Sequence, residues 1–456
     1  MKYTGIMDIS DEEGINERCN DLQKFSQKFT PGIGLEKLCD SFRYLRNACV
    51  LGHKHQNFIV NHSNGLPCIV KLIDSVIHVF PGTEERNICL RLGVQLLGNL
   101  TVNNDETKKI IWERCYSILS ATLHCGDEKS SNYAAMVVYN IFLGKQEEEL
   151  WKELDVDFVS GLVSSAVCGS EYGLFTLELL LKSQGWVEKY YPKLDSQQRY
   201  FILDLMSNNT SEISDDSAAK ESRKFNLSAV VFISNEFRSH SDHILDMRTG
   251  SKVENIEGLT DCTTEMGDPC EISKWLEVLA SASGNEEYLS VLQADGPLLV
   301  QAVFLLKSIQ LVGKLAEDEG DLQHPFVPIQ KLSTMGSSQS ESDVEMHPAH
   351  GFKRNLVRLI GNLAWKNKEI QNKVLELEAV PLILDCCNID ERNPFITQWA
   401  IMAIRNLCDG NHEVQNVIGG LKREGVVSND LLKEMGLTLH DSGNPNEKIS
   451  IVPLPR

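Results

Sequence analysis

Between Phe352 and Trp365 the chain places Leu356, Leu359, Ile360 and Leu363 at i, i+3, i+4 and i+7, the spacing that gathers apolar side chains on one face of an α-helix. The polar turn "KNK" ends that stripe. A second apolar pattern begins at Ile370 and a third near Pro381, whose fixed φ suits a first helical turn. The next stretch follows the same plan, with a long helix over Ala400–Leu407, the turn "CDGNHE" and a further helix over Val414–Leu421.

The wording repeats along with the pattern. "IGNLAWKNKEIQNKV" starts at Ile360 and "IRNLCDGNHEVQNVI" at Ile404, and in each a helix Asn is followed ten residues later by the Asn of a Gln-Asn pair: Asn362 and Asn372, Asn406 and Asn416. "FRYLRNACVLGHKHQNFIV" has the same ten-residue step from Asn47 to Asn57. "VQLLGNLTVNNDETKKIIW" holds Asn99, and a weaker copy, "VVYNIFLGKQEEELW", holds Asn140. Helix asparagines are 52 and 41 residues apart in the first group and 44 in the second, a period near that of armadillo or HEAT units. A unit of that size cannot bury its apolar stripe alone, so neighbours must stack. The fold expected is all-α, an armadillo/HEAT-like α-solenoid of stacked helical repeats with two irregular insertions.

Composition breaks the chain into segments. Residues 1–206 read as N-terminal armadillo-like repeats and residues 207–270 as an insertion rich in Ser, Asn and Asp, within which "LSAVVFISNEF" fits a helix or a strand. Residues 271–316 read as a further helical repeat segment, 317–350 as a flexible acidic loop with Ser and Pro, 351–445 as a C-terminal repeat domain, and 446–456 as a flexible tail. In the acidic loop Ser338, Ser340 and Ser342 each precede an acidic residue by three positions, a context that suits acidophilic kinases.

The formal charge of −20 repels a phosphate backbone, which argues against a nucleic-acid partner. "GPLLVQAVFLLKSIQLVGKL" is interrupted by Gln301, Lys307 and Gln310 and reads as a buried helix, so no membrane insertion is expected. The opening residues, with Asp11, Glu12 and Glu13, do not make a signal peptide and point to the cytosol. The 13 cysteines show no Cys-x-x-Cys spacing and read as small buried hydrophobes. His53 and His55 lack further ligands at metal spacing, and "PGIGLEKL" lacks the third glycine of a dinucleotide loop. Neither cofactor nor catalytic residue is expected.

Asn47, Asn99, Asn362 and Asn406, with Arg405 beside the last, are the candidate protein-binding residues. Arg46, Trp365 and Trp399 join them as interface-type side chains. A side-chain amide both donates and accepts, so it suits either the backbone of an extended peptide or a bridge between neighbouring repeats.

The text "LIGNLAWKN", "VPLILDCCNIDERNPFITQWAI" and "AIRNL" resembles the C-terminal domain of the ataxin-10 family over about Gly351–Gly425, with "NPFITQW" at Asn393–Trp399 its most distinctive part. The resemblance implies an armadillo-repeat protein without established catalysis, acting as an interaction scaffold in neurite outgrowth and neuronal survival through Ras and MAP-kinase signalling, and in cytokinesis. It also implies a G-protein β subunit, the O-linked N-acetylglucosamine transferase, a ciliary-base scaffold and a second copy as partners. Perinuclear cytoplasm, centrosome or basal body, and midbody are the implied locations. The rival function is an armadillo-type regulator or exchange factor of a G protein.

Overall fold

Many of the apolar stripes become helices behind a capping side chain. Thr83, Asn104, Asp127, Asp155, Ser170, Asn226 and Asp268 each stand just ahead of a helix and accept a first-turn backbone N–H, an interaction worth about 1 kcal/mol apiece. The structure is a computed structural model that describes residues 12–27, 35–79, 83–143, 151–210, 224–247, 266–329, 344, 347–421, 436–440 and 450–454. It divides into two units, Met1–Ala294 and Asp295–Arg456.

The first unit opens with α1 (Glu12–Gln27), α2 (Leu35–Ala48), α3 (His53–Asn61), α4 (Leu66–Val79), α5 (Glu84–Leu100), α6 (Asp105–Leu123), α7 (Glu128–Phe142), α8 (Val156–Val167) and α9 (Glu171–Leu180). Helices α2, α5, α7 and α9 pack each on the next, forming one row, and α1, α4, α6 and α8 form a second row behind them. Two parallel rows are what stacking of repeats requires, because each unit then buries its stripe against the preceding one. The core between the rows is apolar and aromatic, with Phe42, Leu97, Trp112, Phe142 and Phe158 buried. Trp112 meets Phe142 edge-on at 5.5 Å between ring centroids.

The unit continues through α10 (Trp186–Tyr190), α11 (Ser196–Thr210), α12 (Leu227–His240), α13 (Pro269–Ala282) and α14 (Glu286–Ala294). The stretch "LSAVVFISNEF" is therefore a helix: α12 packs on α13 and α14, burying Val230, Ile233 and Phe237. The insertion expected at 207–270 thus carries a core helix, and α13 is pinned to α11 by a buried ion pair, Arg199 to Glu271 at 2.7 Å.

The second unit contains α15 (Gly296–Asp318), α16 (Phe352–Leu363), α17 (Lys368–Glu376), α18 (Ala379–Asp385), α19 (Ile396–Cys408) and α20 (His412–Gly420). Helix α15 packs on α16, and α16 on α19, repeating the row geometry. The three-helix reading of Phe352 onward is realised in α16, α17 and α18. In both units the helices stack as repeats, in agreement with the all-α, armadillo-like fold that the periodicity predicts; a two-stranded ribbon near the C-terminus is the one departure among the described residues.

Two segments are more ordered than their composition suggests. Within the expected loop, Phe326, Val327 and Ile329 are buried, and Ile329 exchanges backbone contacts with the C-terminal domain: its N–H donates to Asp390 Oδ1 at 3.2 Å and its carbonyl accepts from Glu391 at 2.8 Å. A short apolar run inside polar text anchors that end. In place of a wholly flexible tail, β2 (Ser450–Pro453) pairs antiparallel with β1 (Leu437–His440), with Leu437 opposite Pro453 and His440 opposite Ser450.

Helix α15 has 23 residues, and an 18-residue window of it with a mean hydropathy of 1.6 makes it long and apolar enough to cross a membrane by length and composition alone. In the fold it is a packed helix, burying Leu299, Ala302, Val303, Leu306 and Ile309 on one face.

Candidate functional site

The Gln-Asn pairs occupy the joints between repeats. On α3, Gln56 is buried and its Nε2 donates to the carbonyls of Asn99 at 2.9 Å and Val102 at 3.3 Å, at the end of the next repeat's row helix. Asn104, which caps α6, returns its Nδ2 to Gln56 Oε1 at 2.9 Å and to Asn57 Oδ1 at 2.7 Å. The second unit builds the same joint from the same residue types. Gln371 on α17 donates to the carbonyls of Asn406 at 2.9 Å and Asp409 at 3.2 Å, and Asn411, the cap of α20, donates to Gln371 Oε1 at 3.3 Å and Asn372 Oδ1 at 2.8 Å. Each joint satisfies carbonyls that a helix end leaves without intrahelical partners.

The helix asparagines form a ladder. Asn99 Nδ2 donates to the Arg46 carbonyl at 3.1 Å, Asn140 Nδ2 to the Gly98 carbonyl at 3.3 Å, and Asn406 Nδ2 to the Gly361 carbonyl at 2.9 Å. Every acceptor is the residue just before the helix Asn of the preceding repeat. The bridging use of the amide is therefore built in at these three positions, and the Oδ1 atoms of Asn99, Asn140 and Asn406 have no hydrogen-bond partner among the described residues. Close approach of α16 and α19 makes the Asn406 bond reachable: a Cβ on Gly361 would stand 2.7 Å from Ala403 Cβ.

The remaining candidates face outward. Asn47 is exposed and accepts from its neighbour Arg46, whose Nη1 also reaches Gln95 Oε1 at 2.7 Å. Asn362 is half-buried on α16, at the margin of the apolar stripe where its angular position puts it. Arg405 is exposed and makes no ion pair among the described residues. Trp399 is half-buried beneath the Arg358 guanidinium, 4.7 Å above its ring centre, and Trp365 lies under Lys366 Nζ at 4.1 Å. Ser338, Ser340 and Ser342 lie outside the described residues.

Two outward features were not singled out from the sequence. Tyr139 on α7 and Tyr172 and Phe175 on α9 touch one another, with centroids 5.9 to 6.1 Å apart, and make an aromatic cluster at the row surface. On α15, Val300, Phe304, Leu311 and Leu315 are between 41% and 58% exposed and lie along one side, opposite the buried face. Their i, i+4, i+11, i+15 spacing was the available signal: a helix apolar on both sides has one side left over for something else.

The chemistry of the titratable groups is structural. Burial pushes the thiols of Cys19, Cys49, Cys115 and Cys386 up to about 12, so they stay protonated and inert. Burial alone would raise the Asp127 carboxyl, but the Arg91 guanidinium and Ser130 outweigh it and hold it at about 2. No cluster of three or more metal-ligating side chains is found among the described residues.

The Spinocerebellar ataxia type 10 protein domain family matches residues 352–449. Ataxin-10 of Homo sapiens is 30% identical over 412 residues, covering 90% of this chain and 81% of that protein. The Ataxin-10 homolog of Dictyostelium discoideum is 45% identical over 103 residues, covering 23% of this chain and 17% of the homolog. Among solved structures, a designed armadillo repeat protein in complex with the peptide (KR)4 is similar at 14% identity and a TM-score of 0.23, covering 86% of this chain and 99% of that one.

Proposed function

The chain belongs to the ataxin-10 family, and from that footing we propose that it is a non-enzymatic scaffold whose activity is the binding of other proteins on the outward faces of its repeats. The observation that carries this reading is the outward stripe of α15. Four large apolar side chains on one side of a well-packed helix cost solvation free energy unless a partner covers them. The aromatic cluster of Tyr139, Tyr172 and Phe175 adds a second surface of the type that anchors interfaces.

Within this reading, a G-protein β subunit, the O-linked N-acetylglucosamine transferase, a ciliary-base scaffold and a second copy of the chain are the partners to be tried. Signalling through the Ras and MAP-kinase pathway in neurite outgrowth and neuronal survival, and a part in cytokinesis, are the corresponding roles. Perinuclear cytoplasm, the centrosome or basal body, and the midbody are the corresponding places. The test is a titration of each purified partner against the full chain and against the double variant Phe304→Asp, Leu311→Asp. Loss of at least one affinity by tenfold or more, with an unchanged melting temperature, is expected at roughly 1.4 kcal/mol per decade. Unchanged affinities for every partner that binds would refute the stripe as the binding surface.

A further inference from the structure

Two arginines of the first unit are satisfied in the same way. Arg91 donates through Nε to Asp127 Oδ2 at 2.9 Å and through Nη2 to Oδ1 at 2.5 Å. Arg199 donates through Nε to Glu271 Oε1 at 2.7 Å and through Nη2 to Oε2 at 3.3 Å. Those two nitrogens share one edge of the guanidinium, and their parallel N–H bonds match two oxygens of a single oxyanion.

Arg392, in the turn between α18 and α19, is 4% exposed, and the same two atoms, Nε and Nη2, are buried with no hydrogen-bond partner. Its main chain is fixed: the N–H donates to Asp390 Oδ1 at 3.2 Å and the carbonyl accepts from Gly351 at 2.9 Å. The Asp390 carboxylate is already engaged. Its Oδ2 meets Lys353 Nζ at 2.9 Å and Asn393 Nδ2 at 2.9 Å, and its Oδ1 also accepts from Ile329 N–H. Among the described residues, Lys353 and Arg392 thus both act on the one Asp390 carboxylate. Burial, reinforced by the Arg392 charge, favours neutral His347, and at His324 burial outweighs the opposing Asp321 carboxylate, with the Arg392 charge acting in the same direction as burial. A buried guanidinium with two unmet N–H groups is costly, and an oxyanion on that edge would satisfy both donors and balance the charge.

We infer that the Nε–Nη2 edge of Arg392 is a receptor for an oxyanion, a carboxylate or a phosphate, held through two parallel hydrogen bonds. The anion is either free phosphate or an acidic or phosphorylated side chain of a bound peptide. The inference goes beyond the scaffold reading and does not depend on it.

Equilibrium dialysis of the full chain against radiolabelled inorganic phosphate tests it. Saturable binding of about one phosphate per chain is expected, and Arg392→Lys, which keeps the charge but removes the fork, should weaken it by roughly tenfold or more. Absence of saturable binding, or equal binding by the variant, overturns the assignment. Should the variant fail to fold, the wild-type chain still decides: a buried arginine Nε–H resonance must shift during a phosphate titration in ¹⁵N NMR, and no shift overturns the inference. Short peptides bearing Glu or phosphoserine serve as competitors. Their displacement of phosphate assigns the site to peptide-borne oxyanions, and retention of phosphate assigns it to the free ion.

Discussion

The Gln56 joint in the first unit and the Gln371 joint in the second use the same atoms for the same bonds, yet what stands beside them differs. At the first, Arg46 lies next to the joint and is tied down by Gln95 and Asn47. At the second, Gly361 holds the position of Arg46, and Arg405, in the position of Gly98, is exposed and makes no ion pair among the described residues. The hidden half of each repeat is therefore dictated by stacking, since buried amides and carbonyls must find one another. The outward half is left for partners. A third pair, Gln415 and Asn416 on α20, sharpens the contrast: both are exposed, and Gln415 folds back to the Cys408 carbonyl at 2.8 Å and meets His412 Nδ1 at 3.2 Å on its own helix.

If this division is correct, damage to a joint should unfold the chain while damage to an outward residue should not. Gln56→Ala has the largest expected effect. It strips the carbonyls of Asn99 and Val102 of a donor and Asn104 of an acceptor, and should lower unfolding free energy by about 3 kcal/mol in urea titrations. Gly361→Ala should cost about 2 kcal/mol, because the new methyl meets Ala403 backbone and Cβ at once and forces α16 away from α19. Asn406→Ala should cost about 1 kcal/mol by releasing the Gly361 carbonyl.

Acid should separate the two units by a subtler effect. His347 in the second unit is brought down to about 4, first by burial and then by the Arg392 charge, and its Nδ1 accepts the Ala349 N–H. Between about pH 6.5 and 4 the unfolded chain takes up a proton there that the folded chain declines, so stability falls as pH drops through that window. His347→Gln should flatten this part of the profile. In the first unit Asp127, held at about 2, keeps its contribution until the pH falls below about 4 and loses it on the way to 2. Melting temperatures measured across both windows check the signs.

The stripe of Leu356, Leu359, Ile360 and Leu363 was enough to predict α16, and the spacing of helix asparagines was enough to predict stacked repeats, because burial of one face and repetition are written directly in residue order. The bond partners were harder to read. Asn99 and Arg46 lie 53 residues apart, and nothing in either local sequence says that an amide will meet a carbonyl across the joint. The Gln-Asn pair was visible as a motif, but nothing in it pointed to its partner Asn104, which lies 48 residues beyond Gln56. Helix α12 was ambiguous because a short apolar run in polar text fits a strand as well as a helix until its packing on α13 decides. Arg392 gave no sequence signal at all, since its unmet edge is a property of the surrounding turn.

The direct test of the division between joint and surface is a comparison of Gln371→Ala with Gln415→Ala, two identical substitutions within the two nearly identical lines of sequence. Urea unfolding should show a loss of about 3 kcal/mol for Gln371→Ala, whose amide holds the Asn406 and Asp409 carbonyls, and under about 0.5 kcal/mol for the exposed Gln415→Ala. Equal losses would contradict the account, because the repeated Gln-Asn text would then not owe its strength to the repeat it clasps.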